Sequence, residues 1–122
     1  MGRRLIYREG MAYDETLAGR AREVLREIAA GLGGGEVAEK RMFGGLAFMV
    51  DGSMALTVGA DGLLVRRPVG DDSVLAEPGA SPAVMGARTM RGWVRVEAAV
   101  LASDDDLERW VRRGVTQALA AR

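Results

Sequence analysis

Neither cysteine nor histidine occurs among the 122 residues. Without cysteine there are no disulfides and no thiolate metal ligands, and thiol content gives no indication of redox compartment. Without histidine as well, the usual general base, the thiol nucleophile and the commonest transition-metal ligands are all missing. A Ser-His-Asp triad cannot be assembled. Ser–Lys chemistry would rest on Lys40, the one lysine, and nothing in the sequence pairs it with a serine. Ser53, Ser73, Ser81 and Ser103 stand in turn, loop or cap contexts. Net charge is also absent: 17 basic residues balance 17 acidic ones. That balance argues against a general electrostatic grip on nucleic acid or on an anionic membrane. No apolar run approaches the ~20 residues of a membrane span, and the basic segment from Met1 to Arg8 lacks the apolar stretch of a secretory signal. A cytoplasmic location and no membrane partner are the resulting default expectations. Gly31-Leu32-Gly33-Gly34-Gly35 has neither the spacing nor the preceding strand of a phosphate-binding or dinucleotide loop. No cofactor, metal or catalytic residue is expected.

What remains is the composition of an ordinary folded protein, 48% hydrophobic and 28% charged. Its length suits one domain with its own core. Residues 1–10 carry three arginines and no periodicity, and are expected to form a loose extension. Residues 11–122 then form the domain, and Met11 would serve as a start of its own. Asp14 is placed to cap a first helix, whose apolar stripe runs through Leu17, Ala21, Val24, Leu25, Ile28 and Leu32. Gly31 and Gly33–Gly35 stop it. The period then changes. Val37–Phe43 reads as a strand and Gly44-Gly45 as a bend. Leu46, Phe48 and Val50 alternate with smaller residues, Asp51-Gly52 is a two-residue hairpin turn, and Met54–Val58 and Leu63–Arg66 follow as strands. Asp71–Ala76 suggests a short helix. Pro78–Pro82 reads as a surface loop, and Val84–Val96 as one or two strands broken near Gly86 and Gly92. Ser103 caps a last helix, with Asp106 as an acidic version of the capping box. The stripe of that helix is Leu107, Trp110, Val111, Val115, Ala118 and Leu119. Gly114 falls inside the stripe and marks a close contact. The fold class is therefore α+β: an antiparallel β-sheet of about 5–6 strands, with the N- and C-terminal helices packed against one face. The full chain stops just after the last helix.

Several residues carry two readings. Asp104–Asp106 resemble a hard-cation site, but an acidic first helical turn accounts for them more simply. Asp51 and Asp61 belong to glycine-containing turns. Sixteen of the 17 basic residues are Arg, a bias that genome-wide coding preference explains more simply than bidentate recognition. Met42, Met49, Met54, Met85 and Met90 are expected to fill the core, the alternative being an adaptable binding surface. Lys40 and Arg41 flank a glycine bend whose N–H groups suit an anion. A strand, tight bend and strand explain the same residues. The stretch Arg91-Gly92-Trp93-Val94-Arg95-Val96 is the most informative. In a strand, Val94 and Val96 face the core while Arg91, Trp93 and Arg95 face away. Arg and Trp are enriched at interface hot spots. Arg91, Trp93, Arg95, Lys40 and Arg41 are accordingly the candidate interaction residues.

Met11-Ala12-Tyr13-Asp14-Glu15, Lys40-Arg41-Met42-Phe43-Gly44-Gly45, Ala47-Phe48, Asp51-Gly52, Leu64-Val65-Arg66 and Met90-Arg91-Gly92-Trp93-Val94 occur in that order. An Asp-rich helix start and Trp110 follow. This series resembles the N-terminal domain of the TfoX/Sxy competence-regulator family, from Met11 onward. The resemblance implies a curved antiparallel sheet with flanking helices, similar to secretion-chaperone folds. Full-length members carry a second, C-terminal domain, which is expected to be absent here. The resemblance carries over no catalytic residue. The leading expectation is a non-enzymatic regulatory module acting through a protein partner, with a homodimer as one form. Two alternatives stand beside it. One is nucleic-acid binding, with Trp93 stacked on a base and the arginines on phosphates. The other is a small-ligand binder or enzyme with a pocket between sheet and helix, using Lys40, Arg41 or a turn carboxylate.

Overall fold

The computed structural model describes residues 13–42 and 44–121. The expectation of a loose extension over residues 1–10 falls outside them, as does Phe43. Helix α1 spans Glu15–Gly31, and the Leu17 N–H donates to Asp14 Oδ1 at 3.0 Å, so Asp14 is its N-cap. Its buried stripe is Leu17, Ala18, Ala21, Leu25, Ile28 and Ala29. Leu32, expected to continue that stripe, is the C-cap residue and is exposed. Gly33, at φ 83°, turns the chain away.

Six strands follow: β1 Val37–Met42, β2 Gly45–Val50, β3 Ser53–Val58, β4 Gly62–Arg66, β5 Ala80–Met85 and β6 Arg88–Glu97. They form one antiparallel sheet in the order β1-β2-β3-β4-β6-β5. The turns explain much of the connectivity. Asp51 (φ 49°) and Gly52 (φ 86°) both adopt left-handed backbone between β2 and β3. That is the requirement of a type I′ hairpin, whose twist matches the strands it joins. The Asp51 carboxylate also accepts from the N–H groups of Gly35 and Glu36, tying the end of the α1 linker to this hairpin. Between β1 and β2, Gly44 sits at φ 71°, and a Cβ on Gly45 would lie 2.5 Å from the Val58 carbonyl oxygen. The glycine pair is therefore demanded by the bend and by the approach of β3.

The segment Pro78–Pro82, expected as a loop, instead enters β5 at Ala80. Pro82 is compatible with a strand there because β5 is an edge strand bonded only to β6, with a register shift between Pro82 and Val84. A 3-10 helix, Asp72–Ala76, precedes it and is capped by Asp71. Helix α2, Asp104–Ala120, is capped by Ser103, whose Oγ accepts from the Asp106 N–H. The Asp106 carboxylate binds Arg109 at 2.8 Å, so that carboxylate is engaged in an ion pair.

Helix α2 lies across β3 and β4, and α1 packs against α2 and β2. The core between helices and sheet takes Leu46, Phe48 and Val50 from β2, Leu56 and Val58 from β3, Leu63 and Val65 from β4, and Val94 and Val96 from β6. Trp110, fully buried, is the largest side chain in it. Gly114 lets α2 settle onto β3: a Cβ there would stand 2.5 Å from the Ala55 carbonyl oxygen. The five strand-region methionines are not core residues, contrary to expectation. Met42, Met49, Met54 and Met90 are half-buried and Met85 is exposed. The β-branched and Leu/Phe residues of the same strands already fill the helix-facing side, which leaves the methionines elsewhere. Among the described residues no helix is long and apolar enough to cross a membrane.

Candidate functional site

Strand register places the opposite face of the sheet. Successive Cα partners join Lys40, Ala47, Thr57, Leu64, Arg95 and Ser81 into one row across all six strands. Side chains of a row share a face. This row alternates with the core residues, so it lies away from the helices. Among the described residues no helix covers it. A second group on that face comprises Met49 opposite Met54, and Arg66 opposite Trp93. The Thr57 hydroxyl lies 3.3 Å from Met54 Sδ, which fixes Met54 on the same side.

The face has a closed floor and an apolar middle. Ala47 and Thr57 are buried. Around them Met49, Met54, Leu64 and Trp93 are half-buried. Lys40, Arg91 and Arg95 are exposed at the margins. Arg66 is held in place: its Nη1 donates to the Met54 carbonyl at 3.1 Å, and its guanidinium lies 5.9 Å from the Trp93 ring centre. That is within the range of a cation–π contact. Arg95 approaches Asp61 only at 4.0 Å, in an exposed pair. At one end the face dips into a depression of about 250 Å³ lined by Thr57, Leu64, Arg95, the Gly59–Gly62 turn and the exposed Val84.

Of the five candidate residues, the structure brings Lys40, Arg91, Trp93 and Arg95 to this face. Arg41 is on the other side. It pairs with Leu46, a core residue, and its guanidinium lies 5.8 Å from the Tyr13 ring. On the same side of β1, Glu39 receives two bonds from Arg22 of α1, at 2.6 and 2.8 Å. Those bonds hold the Glu39 carboxyl below its ordinary range, against the opposing effect of burial. The Lys40–Arg41 pair is thus split by strand alternation, and the anion-binding reading of that bend loses one of its two cations. Arg66, Met49, Met54 and Leu64 were not among the candidates. Alternation within Leu63-Leu64-Val65-Arg66 places Leu64 and Arg66 away from the core, but only the register shows that Arg66 meets Trp93.

Two of the three acids at the start of α2 are held in ion pairs. Asp104 pairs with Arg20 at 2.9 Å and Asp106 with Arg109. The model of the TfoX N-terminal domain matches residues 27–118, most of the chain. Neither the curated proteins nor the solved structures compared with it include a match.

Proposed function

We propose that this chain, which belongs to the TfoX N-terminal domain family, is a non-enzymatic module that binds a protein partner through the sheet face opposite its helices. The observation that carries this reading is the composition of that face. Met49, Met54, Leu64 and Trp93 remain half-buried there, rimmed by Lys40, Arg91 and Arg95. An apolar centre with an aromatic anchor and a charged rim is the anatomy of a protein interface. Methionine side chains reshape easily against a partner. Arg66 stiffens Trp93 from one side, which lowers the entropy lost when a partner covers the ring. The lack of His and Cys supports a role without acid–base or thiol chemistry.

The test is affinity capture with the wild type and with Trp93→Ala/Arg95→Ala, after circular dichroism has established that both are folded. Loss of the captured protein in the variant is the expected result. Sedimentation velocity on the same pair distinguishes a second copy of the chain from a different partner. Binding to single-stranded or duplex oligonucleotide that weakens as salt rises would replace this reading with nucleic-acid recognition.

A further inference from the structure

We infer that the cleft between α2, the 3-10 helix and strands β4 and β6 is a binding site for a small amphipathic anion, a carboxylate on an apolar body. The cleft lies on the helix side of the sheet and has a volume of about 380 Å³. That falls within the range of small-molecule sites. Its apolar floor is the edge of the core, where Val65, Val74, Val94 and Trp110 are buried beneath the arginines. Four arginines line it from the helix side (67, 109, 112 and 113), with Asp71 as the one acid of the lining, while Arg66 at its border is engaged by Met54 and Trp93 on the other face. Their carboxylate partners sit outside the lining. Arg109 and Arg113 both bind Glu77, Arg112 binds Glu108, and Arg67 binds Asp72. Among the described residues each of these four arginines still keeps at least one guanidinium nitrogen outside those pairs.

The hydrogen-bond inventory points the same way. Arg67 is almost fully buried, a rare state for a guanidinium. It donates from Nε to the Trp93 carbonyl and from Nη1 to Asp71 and Asp72. Among the described residues no bond engages its Nη2. Arg113 stacks on Trp110, with its guanidinium carbon 4.6 Å from the ring centre. Arg113 Nη1 and Trp110 Nε1 are both buried, and neither has a hydrogen-bond partner among the described residues. Two unused buried donors on adjacent residues are uncommon in a finished core, because each forfeits its solvation. A carboxylate accepts several bonds at once and suits the planar fork of Arg. The valines and the indole supply contact for an apolar body, which inorganic phosphate lacks.

The experiment is a ¹⁵N NMR titration of the full chain with octanoate, 1-octanol and inorganic phosphate. The two tryptophans give two indole N–H signals, and Trp93→Phe assigns the one from Trp110. Octanoate is expected to shift the Trp110 indole signal saturably at one equivalent, binding at least tenfold more tightly than 1-octanol or phosphate. Arg113→Met should weaken octanoate at least tenfold. Thr116→Phe narrows the cleft from an exposed helix position with every arginine in place, and should weaken it similarly. Should Arg113→Met fail to fold, Thr116→Phe alone decides the location. The inference is overturned if octanoate leaves the Trp110 signal unmoved, if 1-octanol or phosphate binds equally well, or if Thr116→Phe binds octanoate like the wild type.

Discussion

Gly114 shows how one missing side chain sets the distance between two layers. Its α-carbon faces the Ala55 carbonyl so closely that a Cβ would lie 2.5 Å from the oxygen. Neither partner is a flexible side-chain tip, so the helix or the strand must shift. Gly114→Ala is expected to destabilise the fold by about 1–3 kcal/mol, as overpacking of a core does, despite the better helix propensity of Ala. Urea denaturation checks this. The contact was legible in the sequence because Gly114 interrupts an otherwise apolar stripe. The separation of Lys40 from Arg41 is only half legible in the sequence. Alternation says that neighbours diverge, but only the pairing of Arg41 with Leu46 says which one faces the helices. Trp93 was placed correctly because Val94 and Val96 on either side of Arg95 declare the core side. Its contact with Arg66 depends on a pairing between segments 27 residues apart, which local pattern does not encode.

At the scale of elements, the two long helices were readable from caps and stripes, and the β2–β3 hairpin from Asp51-Gly52. Ser103→Ala removes the acceptor for the Asp106 N–H and should cost about 1 kcal/mol, measured by thermal or urea unfolding. The start of strand β5 reads as a loop because Pro78 and Pro82 flank it, whereas its end falls in the extended segment from Val84. An edge strand tolerates Pro82, and edge position is a property of the sheet, invisible in the segment. Ion pairs link the elements as well. Glu77 lies just after the 3-10 helix and accepts from Arg109 and Arg113 of α2. Bonding to Arg113 chiefly, and to Arg109, holds its carboxyl below the ordinary value, with burial opposing. Glu39 is lowered in the same way by Arg22. A carboxyl lowered on folding stabilises the native state above its unfolded pKa, about 4.3. That contribution is lost as pH falls through the lower folded value. Stability is therefore expected to be level between pH 7 and about 5 and to decline below about 4. Glu77→Gln should be less stable at pH 7 and show a shallower decline, as checked by urea unfolding across pH 3–7.

For the whole molecule, the sheet divides two surfaces of different character. The helix side carries the core and, at its border, an arginine-lined cleft. The other side carries a half-buried apolar patch with a cationic rim. Sequence pattern was enough for the α+β class and for helices on one face of an antiparallel sheet. It did not show that the methionines would leave the core, because their destination depends on which strand residues the helices cover. Trp93→Ala/Arg95→Ala removes groups outside the core and is expected to shift unfolding free energy by less than about 1 kcal/mol. Trp110→Ala, inside it, should cost about 3–5 kcal/mol. This contrast separates the outer sheet face from the core, and unfolding of the two variants side by side reads it.

The most direct measurement of the central claim is affinity capture with wild-type protein and with folded Trp93→Ala/Arg95→Ala, followed by identification and titration of whatever is retained. The expected result is one protein partner, or a second copy of the chain, bound by the wild type and weakened at least tenfold by the double substitution. Equal binding by both, or no protein bound by the wild type, would contradict it.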